Sequence, residues 1–430
     1  MDKDRIPLQY KLAAILSVFM LVVPIIIGLR YQEIMQASDF SMTFYVVGNM
    51  IAHGQLQDIY PPLQAASLIH TPFDNYAHQL LEKLPERNVA IYMYSPLTAV
   101  LFAPFGLLNP VIALALWQSI IVVSALVCIL LLVPMDASKS ALTKTKLLSW
   151  VALFAPVIQQ ILIGHLSVPL GMLPLCLGYF FLAKGKDFIA GFVWALLFLK
   201  PQFLPAALLF VGCYTLTKRW HLLLGFASGS LLMTLLTVFA LGPDALIHWY
   251  QSLKFSDTIF TNPAYNYPHY LAVSIPSVVL QILPTEQTGI AKIVLYSLAA
   301  VLGVFTLIVC TKLLSKLGKE NALPIILILS VLVLPMVLPH FLYYDLCSFV
   351  IAALIIQSDT LPKSIEPQFK RLMLGLYAVI NLYFVYFFAT SLKGSYSIAP
   401  VILVLILTLA FAFAVAKFSR LNLDSESEKI

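Results

Sequence analysis

The sequence predicts an all-α integral membrane protein: a polytopic bundle of about twelve membrane-crossing helices, with a further short helix lying re-entrant or interfacial at the outer face. Three observations carry this. Sixty per cent of the 430 residues are apolar and only 11% are charged, with a mean hydropathy of +0.92, whereas a soluble domain is about half apolar and a quarter charged. Apolar runs of spanning length recur along the chain. The basic residues fall in alternate loops, as they do when one set of loops stays in the cytoplasm.

The first span is expected at 12–29. It reads as a retained helix because Ile27-Gly28-Leu29-Arg30 has no small-x-small cleavage site. A soluble loop over 30–110 follows, and further spans are expected at 111–133, 147–164, 167–183, 188–202, 203–216 and 222–241. After a second large loop over 242–289 come 290–310, 322–339, 341–357, 372–390 and 397–416, and 417–430 forms a cytoplasmic tail. The five cysteines all fall within apolar runs and read as small core residues.

With the N-terminus inside, 19 of the 26 basic residues lie in loops on the cytoplasmic side, from Lys3, Arg5 and Lys11 to Lys417, Arg420 and Lys429. The net charge of +6 is accounted for by these juxtamembrane residues, and no nucleic-acid partner is expected. The same tally decides Ser95 to Leu108. Counted as a span, this stretch would put Lys139, Lys144 and Lys146 outside and invert every later loop. Broken by Pro96 and Pro104, it is expected to lie re-entrant or interfacial at the outer surface.

The unusual residues therefore gather outside. Asp39, just beyond the first span, is either a helix N-cap for the run Phe40 to Ile51 or a group with chemistry to do. Lys200, near the outer end of an apolar helix, either snorkels to the interface or meets an anion such as a lipid phosphate. His340 either pairs with Asp345 or contacts substrate. His165, after Gly164, is a surface or capping histidine or a site residue. Arg87 is a solvated loop charge or a phosphate clamp. His53, Asp58, His70, Asp74 and His78 form a loose set without a zinc spacing, so no metal is expected. Tyr265, Tyr267, His269 and Tyr270 read as an interfacial aromatic belt or a stacking surface.

Together the motifs resemble a known family. Asp39, then Phe44-Tyr45-Val46-Val47-Gly48-Asn49, Gly54, Asp58-Ile59-Tyr60, Tyr94-Ser95-Pro96-Leu97 and Ala103-Pro104-Phe105 resemble glycosyltransferase family 87. Trp117, Pro156, Gly164-His165, Leu199-Lys200-Pro201-Gln202 and Pro339-His340 to Tyr344-Asp345 continue the likeness, which covers roughly 36 to 350. The chain departs from the family at Gly164-His165, where Gly-Gln is common, and at Tyr94-Ser95-Pro96, where a tyrosine precedes two prolines.

The resemblance implies a single GT-C transmembrane domain over 1–430 and a polyprenyl-phosphate-sugar-dependent hexosyltransferase, with mannose the expected sugar. It implies an inverting transfer to a lipid or glycan acceptor, without cofactor, at the outer face of a bacterial inner membrane. Asp39 would be the general base, and Lys200, His340, His165, Arg87, Tyr94 and Gln202 would contact substrate. One base suffices because polyprenyl phosphate is already a good leaving group, unlike the sugar alcohols that glycosidases must protonate. A lipid or sugar-lipid transporter without transferase activity is the alternative, but such proteins tend to show paired repeats or ionisable groups at midplane, and neither is evident in the sequence.

Overall fold

The computed structural model describes residues 8–62, 65, 67–133, 141–255, 271–283, 288–357, 361–363, 365–390 and 398–421. The aromatic set Tyr265, Tyr267, His269 and Tyr270, the basic residues Lys3, Arg5, Lys139, Lys393 and Lys429, and most of the expected tail lie outside them. The fold is all-helical, 80% helix with no strand among the described residues.

Among the described residues, five helices are long and apolar enough to cross a membrane: Lys11–Arg30, Pro110–Leu132, His221–Leu241, Thr288–Leu332 and Ala399–Ser419. A sixth is obtained if Thr145–Ala152 and Ala155–Ile163, bent by 60°, form one broken span. This is fewer than the expected twelve, although helix occupies each expected position. Proline and glycine account for much of the difference. The expected spans at 167–183, 188–202, 203–216 and 341–357 are assembled from shorter helical pieces, and 290–310 runs into 322–339 through a kink at Gly318, whose φ is 72°.

The break between Ala152 and Ala155 is held by one side chain from a distant helix. Asn381 Oδ1 accepts from the Ala155 N–H at 2.8 Å, and Asn381 Nδ2 donates to the Leu153 carbonyl at 3.2 Å. Backbone groups freed from the helix ladder are thus paired without water, as a low-dielectric interior requires.

Residues 96–106 form an 11-residue helix, about 16 Å long and too short to cross alone. It packs against Val46–Ala52 through two glycines. A Cβ built on Gly48 would stand 2.2 Å from the Phe102 carbonyl oxygen, and one on Gly106 would stand 2.2 Å from the Asn49 nitrogen. The two backbones therefore touch. Asn49 locks the crossing: its Nδ2 donates to the Gly106 carbonyl at 2.7 Å, while its Oδ1 accepts from Tyr76 Oη at 2.6 Å.

An aromatic cluster joins this pair to the bundle. Phe102 meets Trp117 edge-on at 4.7 Å and stacks on Phe44 at 5.1 Å, and Trp117 Nε1 donates to the Gly164 carbonyl at 2.9 Å. Gly164 ends its helix at φ 68°, where a Cβ would lie 2.6 Å from Phe40 Cβ. Only glycine fits that left-handed, crowded position.

Candidate functional site

Two π-helical turns, Phe40–Tyr45 and Ser167–Met172, flank the polar centre of the molecule. Such turns often occur at functional sites, because the wider turn redirects a side chain without ending the helix. A third element is the break at Lys200, where φ is −137° and ψ 78°. Pro201 drives it, since the residue before proline is pushed out of the α region. The Leu199 carbonyl at the break accepts from Thr98 Oγ1 at 3.2 Å.

Lys200 points inward. Its side chain is 1% exposed, and its Nζ lies 3.3 Å from Oδ1 of Asp345, which is 0% exposed. The snorkelling alternative therefore does not describe it. The ammonium also lies over the rings of Tyr94 and Tyr344, at 5.4 and 5.7 Å from their centroids. Two π faces and a carboxylate replace water around the buried charge.

Asp345 is fully engaged. Oδ1 also accepts from Ser167 Oγ at 2.5 Å, and Oδ2 accepts from the Leu342 N–H at 3.0 Å. A chain of contacts leads on from Ser167: His165 Nδ1 lies 3.2 Å from Ser167 Oγ, and His165 Nε2 lies 2.9 Å from Tyr94 Oη. The His165 ring packs on Tyr344 at 4.0 Å and meets Phe44 edge-on at 5.9 Å. Burial, together with the Lys200 charge, holds its imidazole well below its ordinary range, so the ring is neutral.

Asp39 stands beside this network. It does not cap the following helix through its side chain; Ser38 Oγ instead accepts from the Ser41 N–H at 3.3 Å. Asp39 is partly accessible, and among the described residues no donor bonds its carboxyl. Desolvation pushes its pKa up to about 6, with Lys200 opposing and Asp345 adding to the rise. It is thus a carboxylate near neutrality, able to take a proton.

Asp39, Tyr94, His165 and Lys200 are therefore neighbours. The remaining expected residues are placed differently. Gln202 lies in the turn Pro201–Phe203 just after Lys200, with its Oε1 buried and unbonded among the described residues. His340 is half-buried on the Pro339 turn, whose carbonyl accepts from Ser277 Oγ at 2.5 Å, and the cation at Asp345 is Lys200 rather than His340. Arg87 is exposed on the turn Pro85 to Asn88. In the loose His/Asp set, the Asp74 carboxylate accepts from the His70 and Ala90 N–H groups, both at 2.8 Å, and sits 3.7 Å from His78 Nε2. That carboxylate staples the loop.

Asp345 as the partner of Lys200, with Ser167 and Tyr344, is what the sequence reading did not assemble. The signal was available: a lone carboxylate in one apolar run and a lone ammonium in another should be tested as a pair before either is assigned elsewhere.

Compared with known families, residues 92–339 match glycosyltransferase family 87. The match covers more than half of the chain. The chain belongs to glycosyltransferase family 87. Membership makes it a glycosyltransferase, and its long apolar helices fit a membrane protein. No curated protein and no solved structure matches it. The part matched to family 87 takes in Tyr94, His165, Ser167, Lys200 and Gln202, whereas Asp39 precedes it and His340 and Asp345 follow.

Proposed function

We propose that this glycosyltransferase moves a hexose, mannose in the first instance, from a polyprenyl-phosphate carrier to an acceptor hydroxyl at the outer face of a bacterial inner membrane. The acceptor is a lipid or glycan, and both termini are cytoplasmic. The observation that carries the reading is the state of Asp39: a carboxyl beside a buried cation, not engaged in capping, with a pKa pushed up to about 6.

The reaction needs one base. The acceptor oxygen attacks the anomeric carbon as the bond from that carbon to the phosphate oxygen breaks, and the acceptor's proton passes to Asp39. The phosphate departs as polyprenyl phosphate without needing a proton, and attack from the opposite face inverts the anomeric centre. Lys200, which has N–H groups beyond the one facing Asp345, supports the donor phosphate with its charge. His165, Tyr94, Gln202, His340 and Arg87 are proposed substrate contacts, and no cofactor takes part.

The test uses purified protein in detergent with radiolabelled polyprenyl-phosphate mannose or glucose and a total lipid extract. A labelled product made by the wild type and lost in Asp39→Asn is the expected result. Movement of the lipid-linked sugar across proteoliposomes with no transfer would establish the transporter alternative instead.

A further inference from the structure

The contacts around Asp345 fix the direction of every hydrogen bond between it and Tyr94. Asp345 faces the Lys200 ammonium at 3.3 Å and is a carboxylate, which only accepts. Ser167 Oγ therefore gives its single proton to Asp345 at 2.5 Å. Toward His165 Nδ1, at 3.2 Å, the same oxygen can only accept, so the ring proton is on Nδ1. A neutral imidazole carries one such proton, which leaves Nε2 an acceptor. Tyr94 Oη, 2.9 Å away, must donate to it. The packing of His165 between Tyr344 and Phe44 keeps the ring in this orientation.

Tyr94 has then no proton left to give. We propose that Tyr94 Oη is a fixed hydrogen-bond acceptor that reads a substrate hydroxyl beside Asp39, with Asp345, Ser167 and His165 as the positioning residues that set its polarity. An oxygen of this kind attracts an alcohol O–H and disfavours a bare anionic oxygen, so within one substrate it separates the hydroxyl-bearing part from the phosphate. Lys200, lying over the Tyr94 ring, serves the opposite sign of charge. The hydroxyl belongs either to the sugar of the donor or to the acceptor. This inference rests on the hexosyl-transfer reading for its substrate, but not for its polarity.

Two measurements test it. In the first, wild type and Tyr94→Phe are given polyprenyl-phosphate mannose and its monodeoxy derivatives, and both hydrolysis of the donor and transfer to a total lipid extract are followed. If a sugar hydroxyl is read, one deoxy donor loses about 3- to 10-fold in kcat/KM with the wild type and nothing further with Tyr94→Phe. If the acceptor hydroxyl is read, Tyr94→Phe lowers transfer by a similar factor and by more than it lowers donor hydrolysis. Equal behaviour of the two proteins in every arm overturns the proposal. In the second, the 15N spectrum of histidine-labelled protein, with His165 assigned by its disappearance in His165→Gln, should show the proton on Nδ1 in the wild type. A proton on Nε2 overturns the proposal, and a misfolded Tyr94→Phe does not affect this readout. Failure of the wild type to use any polyprenyl-phosphate hexose would defeat the proposed function and leave the tautomer result standing.

Discussion

The Lys200 ammonium and the Asp345 carboxylate stand 3.3 Å apart, with 1% and 0% of their side chains exposed. Neither has water to turn to if the other is removed. Lys200→Met and Asp345→Asn should each destabilise the protein by about 3–5 kcal/mol, because each leaves an uncompensated buried group. The double variant Lys200→Met with Asp345→Asn should lose much less than the sum. Unfolding of the four proteins in a denaturing detergent series measures this, and additive losses would refute the coupling. Donor KM for Lys200→Met has meaning only beside that measurement.

Asp39→Asn should reduce kcat by about 100-fold or more, since Asn cannot take the acceptor's proton. For the wild type, kcat/KM should rise with pH through a limb near 6, as Asp39 ionises. Retention of more than about a third of wild-type turnover by the Asn variant would remove Asp39 from the mechanism.

The stability effect of the same substitution has the opposite sign. Asp39 is raised from 3.8 to about 6 on folding, so as pH climbs the unfolded chain releases its proton first. The native state loses stability between about pH 4 and 6 and does not regain it above. Asp39→Asn escapes that loss and should be the more stable protein at pH 7 by up to about 3 kcal/mol, with the difference vanishing below pH 4. Melting temperatures of both proteins from pH 4 to 8 check this, and parallel curves would contradict it.

Gly48→Ala and Gly106→Ala should each cost about 1–3 kcal/mol, since the added methyl meets backbone atoms at 2.2 Å. Gly303→Ala is the control. Nothing lies within 4 Å of its built Cβ, and alanine inside a helix should be neutral or gain up to about 1 kcal/mol. Thermal unfolding of the three variants distinguishes a packing effect from a general intolerance of glycine replacement.

Single cysteines at Arg87 and Lys186, both exposed positions, should be labelled by an impermeant thiol reagent from opposite sides of the membrane. The split of basic residues leads to this expectation, with Arg87 outside. The native cysteines Cys128, Cys176, Cys213, Cys310 and Cys347 are free and buried, and replacing them removes background. Labelling of both positions from one side would reverse the reading of residues 95–108 as re-entrant.

Helix positions were legible because apolar runs announce themselves, and the basic loops supplied a consistent side. Span continuity was less so: whether a proline ends a helix, as at Pro201, or sits within one, as at Pro324, depends on neighbours far away in sequence. In the site, Asp39 and Lys200 stood out as charges next to apolar runs. Ser38 took the capping role that the sequence alone left open to Asp39, because the choice between adjacent caps is made by local dihedrals. Asp345 was harder to place for a related reason. His340 was five positions away and Lys200 was 145, and sequence distance gave the nearer residue an advantage that burial removed.

The turn at Phe40–Tyr45 makes the site sensitive to counting as well as to chemistry. A π turn holds one residue more than an α turn. Were all six residues to wind as ordinary helix instead, the surplus residue would rotate whatever precedes it by about 100° relative to Val46–Ala52. The glycine crossing at Gly48 would remain in place while Asp39 swung to another face. A chain wound in this way would keep its hydropathy, its spans and every side chain of the site, and would still lack the register that brings Asp39 to Lys200.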